Sequence, residues 1–164
     1  ILFITIYYMK IAMDADCLIK LTKAGLKEEV CRSMTVFIPS EVKRETVDQA
    51  AGLPDAICIS ENIKTRLIHV KGGTSGSQKG ENAVLDLYRS GGFDAVASDD
   101  HRFLKYLKGL GVPFAVPAAV VVFIIKHRKL GKQEAEDRLL ALKPYISEEQ
   151  YAVAMITIRQ EKTR

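Results

Sequence analysis

The sequence predicts an α/β fold, a three-layer α/β/α domain around a central, mainly parallel sheet of four to five strands. Three observations carry this. Short apolar runs alternate with helical patterns, which is how βαβ units with a parallel sheet read. Two of the runs end on aspartates, Asp14 and the pair Asp99-Asp100. The 164 residues, 48% hydrophobic and 27% charged, suit one domain with a real core, and no repeat or long linker divides them.

The elements follow in order. Met9 to Met13 is an apolar run closing on Asp14, a buried strand ending in a carboxylate. Asp16 to Ala24 reads as a helix with an acid near its start, and Leu26 to Ser33 as a second. Thr35 to Ile38 is β-branched and aromatic, a strand. Pro39-Ser40 opens a helix through Ala50, which Gly52 and Pro54 stop. Ala56 to Ile59 and Leu67 to Val70 are two further strand candidates. A glycine-rich stretch from Gly72 to Gly80 precedes a helix from Glu81 to Ser90, closed by Gly91-Gly92. Phe93 to Ala97 is a strand ending on Ser98-Asp99-Asp100, and a helix runs on through Lys108. Val112 to Val116 is the last strand. Pro117 starts an apolar helix to about Lys129. Two C-terminal helices, within residues 130–164, finish the chain: Lys132 to Leu142, and one opened by the capping box Ser147 to Gln150.

Composition narrows the classes of function. The longest apolar run, Val112 to Ile125, contains two prolines and is too short to span a bilayer, so no membrane partner is expected. Residues 1–8 read as an upstream extension, without the basic start of a signal peptide. Cys17, Cys31 and Cys58 form no CxxC pair and are odd in number, which argues against a disulfide framework and a zinc ribbon and suits a reducing cytoplasm. The net charge of +4 is weak evidence for a polyanionic partner. The local clusters are more informative. Lys126, His127, Arg128, Lys129 and Lys132 share one short stretch, and Lys79 stands beside the glycines with Lys64, Arg66 and Lys71 nearby. Each is a solvated face or a phosphate contact. No GxxxxGK[ST] loop and no third glycine of a dinucleotide fingerprint is present. The three histidines are not at metal-ligand spacing.

In a doubly wound sheet, functional groups gather at the carboxyl ends of the strands. Asp14 and Asp99-Asp100 therefore point to one edge. Glu45, Glu41 four residues before it, and Glu81 are helical acids able to join them. Clustered carboxylates repel unless a cation neutralises them, and hard oxygen donors select Mg²⁺ or Mn²⁺.

Four segments then carry a resemblance. Lys10-Ile11-Ala12-Met13-Asp14-Ala15-Asp16-Cys17-Leu18-Ile19 is a strand ending in Asp, followed by a short polar residue and Leu-Ile. Ile38-Pro39-Ser40-Glu41-Val42-Lys43-Arg44-Glu45 places Pro before Val and then Glu. Gly80-Glu81-Asn82-Ala83 and Ala97-Ser98-Asp99-Asp100-His101-Arg102-Phe103 follow in order. Together, from about Met9 to Val122, they resemble the PIN domain, the fold of many toxin-type and RNA-processing ribonucleases. The resemblance implies Asp14, Glu45, Glu81 and Asp100 as the catalytic, metal-binding set. Asp99 is an alternative ligand to Asp100, and Asp16 and Ser98 support the site. It implies a metal-activated water attacking an RNA phosphodiester, with a small antitoxin and a homodimer as partners. Lys79, Arg102, Lys126, Arg128 and Lys129 are the expected contacts to RNA phosphates, with steep salt dependence.

Two other readings remain open. Asp14-Ala15-Asp16 also resembles the opening of a haloacid-dehalogenase-like phosphohydrolase, with Asp14 as nucleophile and Asp16 as acid/base. Against it, Leu18 stands where that family has Thr, and Glu45 and Glu81 are left idle. The third reading is a non-catalytic, RNA-binding PIN-like module.

Overall fold

The computed structural model describes residues 8–72 and 80–160. Its centre is one five-stranded, all-parallel sheet flanked by helices, an α/β/α sandwich. The strands are β1 (Lys10–Met13), β2 (Thr35–Ile38), β3 (Ile68–Val70), β4 (Ala95–Ala97) and β5 (Phe114–Ala115). Their spatial order is β3-β2-β1-β4-β5. The chain thus builds outward from β1 on one side, then returns and builds outward on the other. The order reverses between β1 and β4, whose register pairs Ile11 with Ala95 and Met13 with Ala97. Such a reversal leaves a crevice at the carboxyl ends of the two strands.

The helices are α1 (Ala15–Lys23), α2 (Lys27–Ser33), α3 (Ser40–Lys43), α4 (Pro54–Lys64), α5 (Gly80–Arg89), α6 (His101–Gly109), α7 (Pro117–His127), α8 (Lys132–Leu142) and α9 (Glu148–Gln160). Helix α1 begins where it does because the Asp14 carboxylate caps it, accepting from the Cys17 N–H at 2.8 Å. It ends at Gly25, whose φ of 71° suits glycine and lets the Leu26 N–H close back on the Leu21 carbonyl. The apolar stripe Cys17, Leu18 and Leu21 is fully buried. Helix α5 lies against β1, β4 and α3, while α2 lies against β2 and α4 against β3.

Several sequence expectations need correction. Ala56 to Ile59 is not a strand but the first half of α4. Pro54 is the first residue of that helix, not the end of the one before, and Ala56, Ile59 and Asn62 recur at helical spacing as its buried face. The helix expected from Pro39 through Ala50 is broken. After α3 the chain widens into a π-helical turn, Arg44–Asp48, in which the Gln49 N–H bonds the Arg44 carbonyl. The last strand shrinks to Phe114–Ala115. In the apolar helix α7, which packs against α2, α8 and α9, Val120, Val121, Val122, Ile124 and Ile125 are buried within the protomer. No helix among the described residues is long and apolar enough to cross a membrane.

Candidate functional site

Asp14 stands at the carboxyl end of β1, where its backbone N–H still bonds the Ala97 carbonyl of β4 at 3.0 Å. That ladder bond presses it against the end of β4, and only 5% of the residue is exposed. One carboxylate oxygen, Oδ1, accepts from Cys17 N–H, and the other, Oδ2, accepts from the fully buried Ser98 hydroxyl. Burial in this position pushes the Asp14 carboxyl up to about 7, and the hydrogen bonds oppose that while the charges of Asp16 and Asp99 add to it.

Ser98 reaches both ways. Its oxygen also accepts from the Asp100 N–H at 3.2 Å. Asp100 then caps α6 through a 2.8 Å bond from Phe103 N–H. Both acid-bearing strand ends are therefore also helix starts, where N–H groups and the helix dipole favour negative charge. One hydroxyl separates the two caps.

The neighbour Asp99 faces elsewhere. Lys20 Nζ lies 2.5 Å from its Oδ2 and Gln150 Nε2 lies 2.5 Å from its Oδ1. Lys20 also pairs with Asp16 at 2.9 Å, one helical turn earlier. So Asp99 ties α1 and α9 to the end of β4, and the Lys20 ammonium is an internal counter-ion between two acids.

Glu45 and Glu81 assemble at a different point. Glu45 is exposed on the π-helical turn, a kind of element that recurs at functional sites. Its carboxylate packs against Gly80, where a Cβ would stand 3.0 Å from Glu45 Oε1. Glu81 is the next residue, exposed in the first turn of α5. Glu41 is instead buried, and its Oε2 has no hydrogen-bond partner among the described residues.

The structure thus gathers Asp14, Asp16, Ser98, Asp99 and, through Ser98, Asp100. It gathers Glu45 with Glu81 around Gly80. Among the described residues no set of three or more His, Cys, Asp or Glu is spaced to hold a metal. Of the expected RNA contacts, Arg102 is exposed in the first turn of α6, beside Asp100. Lys126 and Lys129 line a pocket between α7, α8 and α9, whereas Arg128 turns away to pair with Glu29. The basic stretch therefore does not form one face. Lys79 lies outside the described residues, as do residues 1–7.

A hard divalent cation, which the resemblance implies, would meet oxygen donors at this edge. Each Asp14 oxygen accepts one protein hydrogen bond and keeps a second lone pair. Burial raises this carboxyl and so disfavours its negative charge. Mg²⁺ needs only one or two carboxylates and keeps its remaining waters. Asp14 and Asp100 are the two that would hold it. Two residues of this edge were not foreseen. Lys20 had a signal, its i,i+4 spacing from Asp16, while Gln150 had none.

Fold and edge together define a doubly wound α/β protein with an acidic switch-point site. Compared with protein-family models, curated proteins and solved structures, the chain matches none.

Proposed function

We propose that the chain is a metal-dependent endoribonuclease of the PIN type, hydrolysing RNA phosphodiester bonds at the edge marked by Asp14. The supporting observation is the pairing of Asp14 with Ser98-Asp99-Asp100 across the reversal between β1 and β4. A bound Mg²⁺ or Mn²⁺ would supply activation of the attacking water and neutralise charge on the phosphate oxygens. The chain's own residues prepare for this. Ser98 and the Cys17 N–H fix the orientation of the Asp14 carboxylate. The cap on α6 fixes Asp100. Lys20 and Gln150 hold Asp99 out of the way and keep α1 and α9 against the edge. Arg102 is exposed where an incoming phosphate would meet it. Glu45 on the π-helical turn and Glu81 on α5 would be further acids of the same reading, carried on separate elements.

The test is cleavage of single-stranded and structured RNA with Mn²⁺, Mg²⁺ or EDTA, alongside Asp14→Asn. Metal-dependent cleavage that disappears in the variant is the expected result. Hydrolysis of small phosphate esters with RNA intact would replace the proposal with the phosphohydrolase reading. Salt-sensitive RNA binding without turnover would leave a binding module.

A further inference from the structure

A pocket of about 560 Å³ opens between the end of α7 and helices α8 and α9. Its floor is apolar: Ile125, Leu130, Ala135 and Ile158. Its described rim carries Lys126, Lys129, Lys132 and Arg159, and among the described lining residues Glu136 is the one carboxylate. That carboxylate already lies 3.6 Å from Arg159. Among the described residues, no acid pairs with Lys129 or Lys132.

The pocket is far from Asp14. Helix α7 starts just beyond the carboxyl end of β5 and its eleven residues descend about 16 Å before reaching the pocket. Helix α9 makes the same journey, from Gln150 on Asp99 to Ile158 on the pocket floor.

A second observation concerns the rim, and is shared only with Arg66 after α4 among the described non-glycine residues. Helix α7 closes with the Leu130 N–H on the Ile125 carbonyl and the Lys129 N–H on the Lys126 carbonyl. The residue between, at φ 54°, belongs in a conformation that favours glycine, yet it is Lys129. The same closure uses Gly25 after α1 and Gly111 after α6. Keeping a lysine there costs backbone strain, of order 1 kcal/mol, at a residue that lines the pocket.

We propose that this pocket binds a small amphiphilic anion, with an apolar body on the floor and a carboxylate or phosphate head between Lys129 and Lys132. The size is that of a small-molecule site, and an apolar lining with a few convergent charges is the usual composition. The surplus of positive charge selects the head. The site stands independently of the nuclease reading.

Decanoate, decyl phosphate and 1-decanol, each below its micellar concentration, are the probes. They are titrated into the full chain by calorimetry and by amide chemical shifts. Both anions are expected to bind at least tenfold more tightly than decanol, with shifts centred on Ile125, Leu130, Ala135 and Ile158. The tighter anion identifies the head group. Lys129→Gly relieves the strained backbone, so it keeps the fold, and is expected to weaken the anions at least fivefold; Lys132→Glu is expected to do so more strongly. Arg66→Gly makes the same backbone change after α4 and is expected to leave binding untouched. Equal binding of decanol and the anions overturns the proposal. So does unchanged anion affinity in both lysine variants, or a shift pattern centred elsewhere.

Discussion

The two ends of this molecule handle charge in opposite ways. At the carboxyl edge, Asp14, Asp16, Asp99 and Asp100 crowd together, yet the fold answers them with Lys20, a serine hydroxyl and helix N-termini. At the far end, Lys129 and Lys132 are set around an apolar hollow with little answer from the chain. The acidic edge is largely compensated from within the chain. In the basic pocket Arg159 has Glu136, while among the described residues Lys129 and Lys132 have no acidic partner, which leaves them for the proposed anion. Charge alone would have ranked these regions alike; the difference lies in what each charge already touches.

The sharpest way to break that contrast is at Asp14. The Asn variant is expected to lose RNA cleavage by roughly a thousand-fold, the several kcal/mol that a bound metal supplies, measured at saturating Mn²⁺. A rate within tenfold of wild type would remove Asp14 from the chemistry.

The same residue gives a pH signature. Folded, its carboxyl titrates at about 7 instead of its usual 3.8. Between these values the folded chain holds a proton that the unfolded chain has released. Stability therefore falls as pH rises from about 4 to 7, by up to about 1.4 kcal/mol per unit. In EDTA, the wild-type Tm should drop across this window relative to Asp14→Asn, and Mn²⁺ should narrow the gap at pH 7.5. Parallel Tm profiles for the two proteins would contradict the burial argument.

Removing the internal counter-ion is the next step down. Lys20→Met leaves Asp99, whose side chain is 6% exposed, facing Asp16 without its ammonium. A loss of roughly 2 kcal/mol is expected, below the value for a fully buried pair because Lys20 keeps some exposure. Urea denaturation reads it, and no change would mean Gln150 alone suffices to hold Asp99.

Gly80→Ala tests whether the second acid group belongs to the first. The new methyl crowds Glu45 Oε1, so the carboxylate must shift by a few tenths of an ångström, at no cost to helix α5. Cleavage several-fold slower with an unchanged Tm is expected. Unaltered turnover would detach Glu45 from the site. The smallest effect belongs to the basic end, where Lys129→Gly should raise stability by about 1 kcal/mol and a lower Tm would show that the lysine packs rather than strains.

Much of this architecture was readable in advance. Apolar runs such as Lys10–Met13 and Thr35–Ile38, and the capping acids Asp14 and Asp100, are local signals that tertiary packing did not overrule. Their joint location at one edge followed from parallel topology alone. What escaped reading was either ambiguous or distant. Ala56 to Ile59 is apolar and short, and such a run fits strand or helix until Pro54 is seen as an opener. The π-helical turn at Glu45, in which the buried Thr46 hydroxyl bonds the Val42 carbonyl, is announced by no local pattern. Gln150 reaches Asp99 from 51 residues away, and Arg128 finds Glu29 across 99. Side-chain partners at that separation are decided by how helices stack, and periodicity carries no trace of them.

The grip of Gln150 on Asp99 also has a consequence for synthesis. Chains emerge and fold from the N-terminus onward. Every strand, and both aspartate caps, precede Gln150 in that order, so the sheet can form while one partner of Asp99 is still unmade. The acidic edge is completed only when nearly the whole described chain exists. A nascent chain would then display its carboxylates before Asp99 is held from both sides, and the last partner to arrive is Gln150, from the first turn of α9.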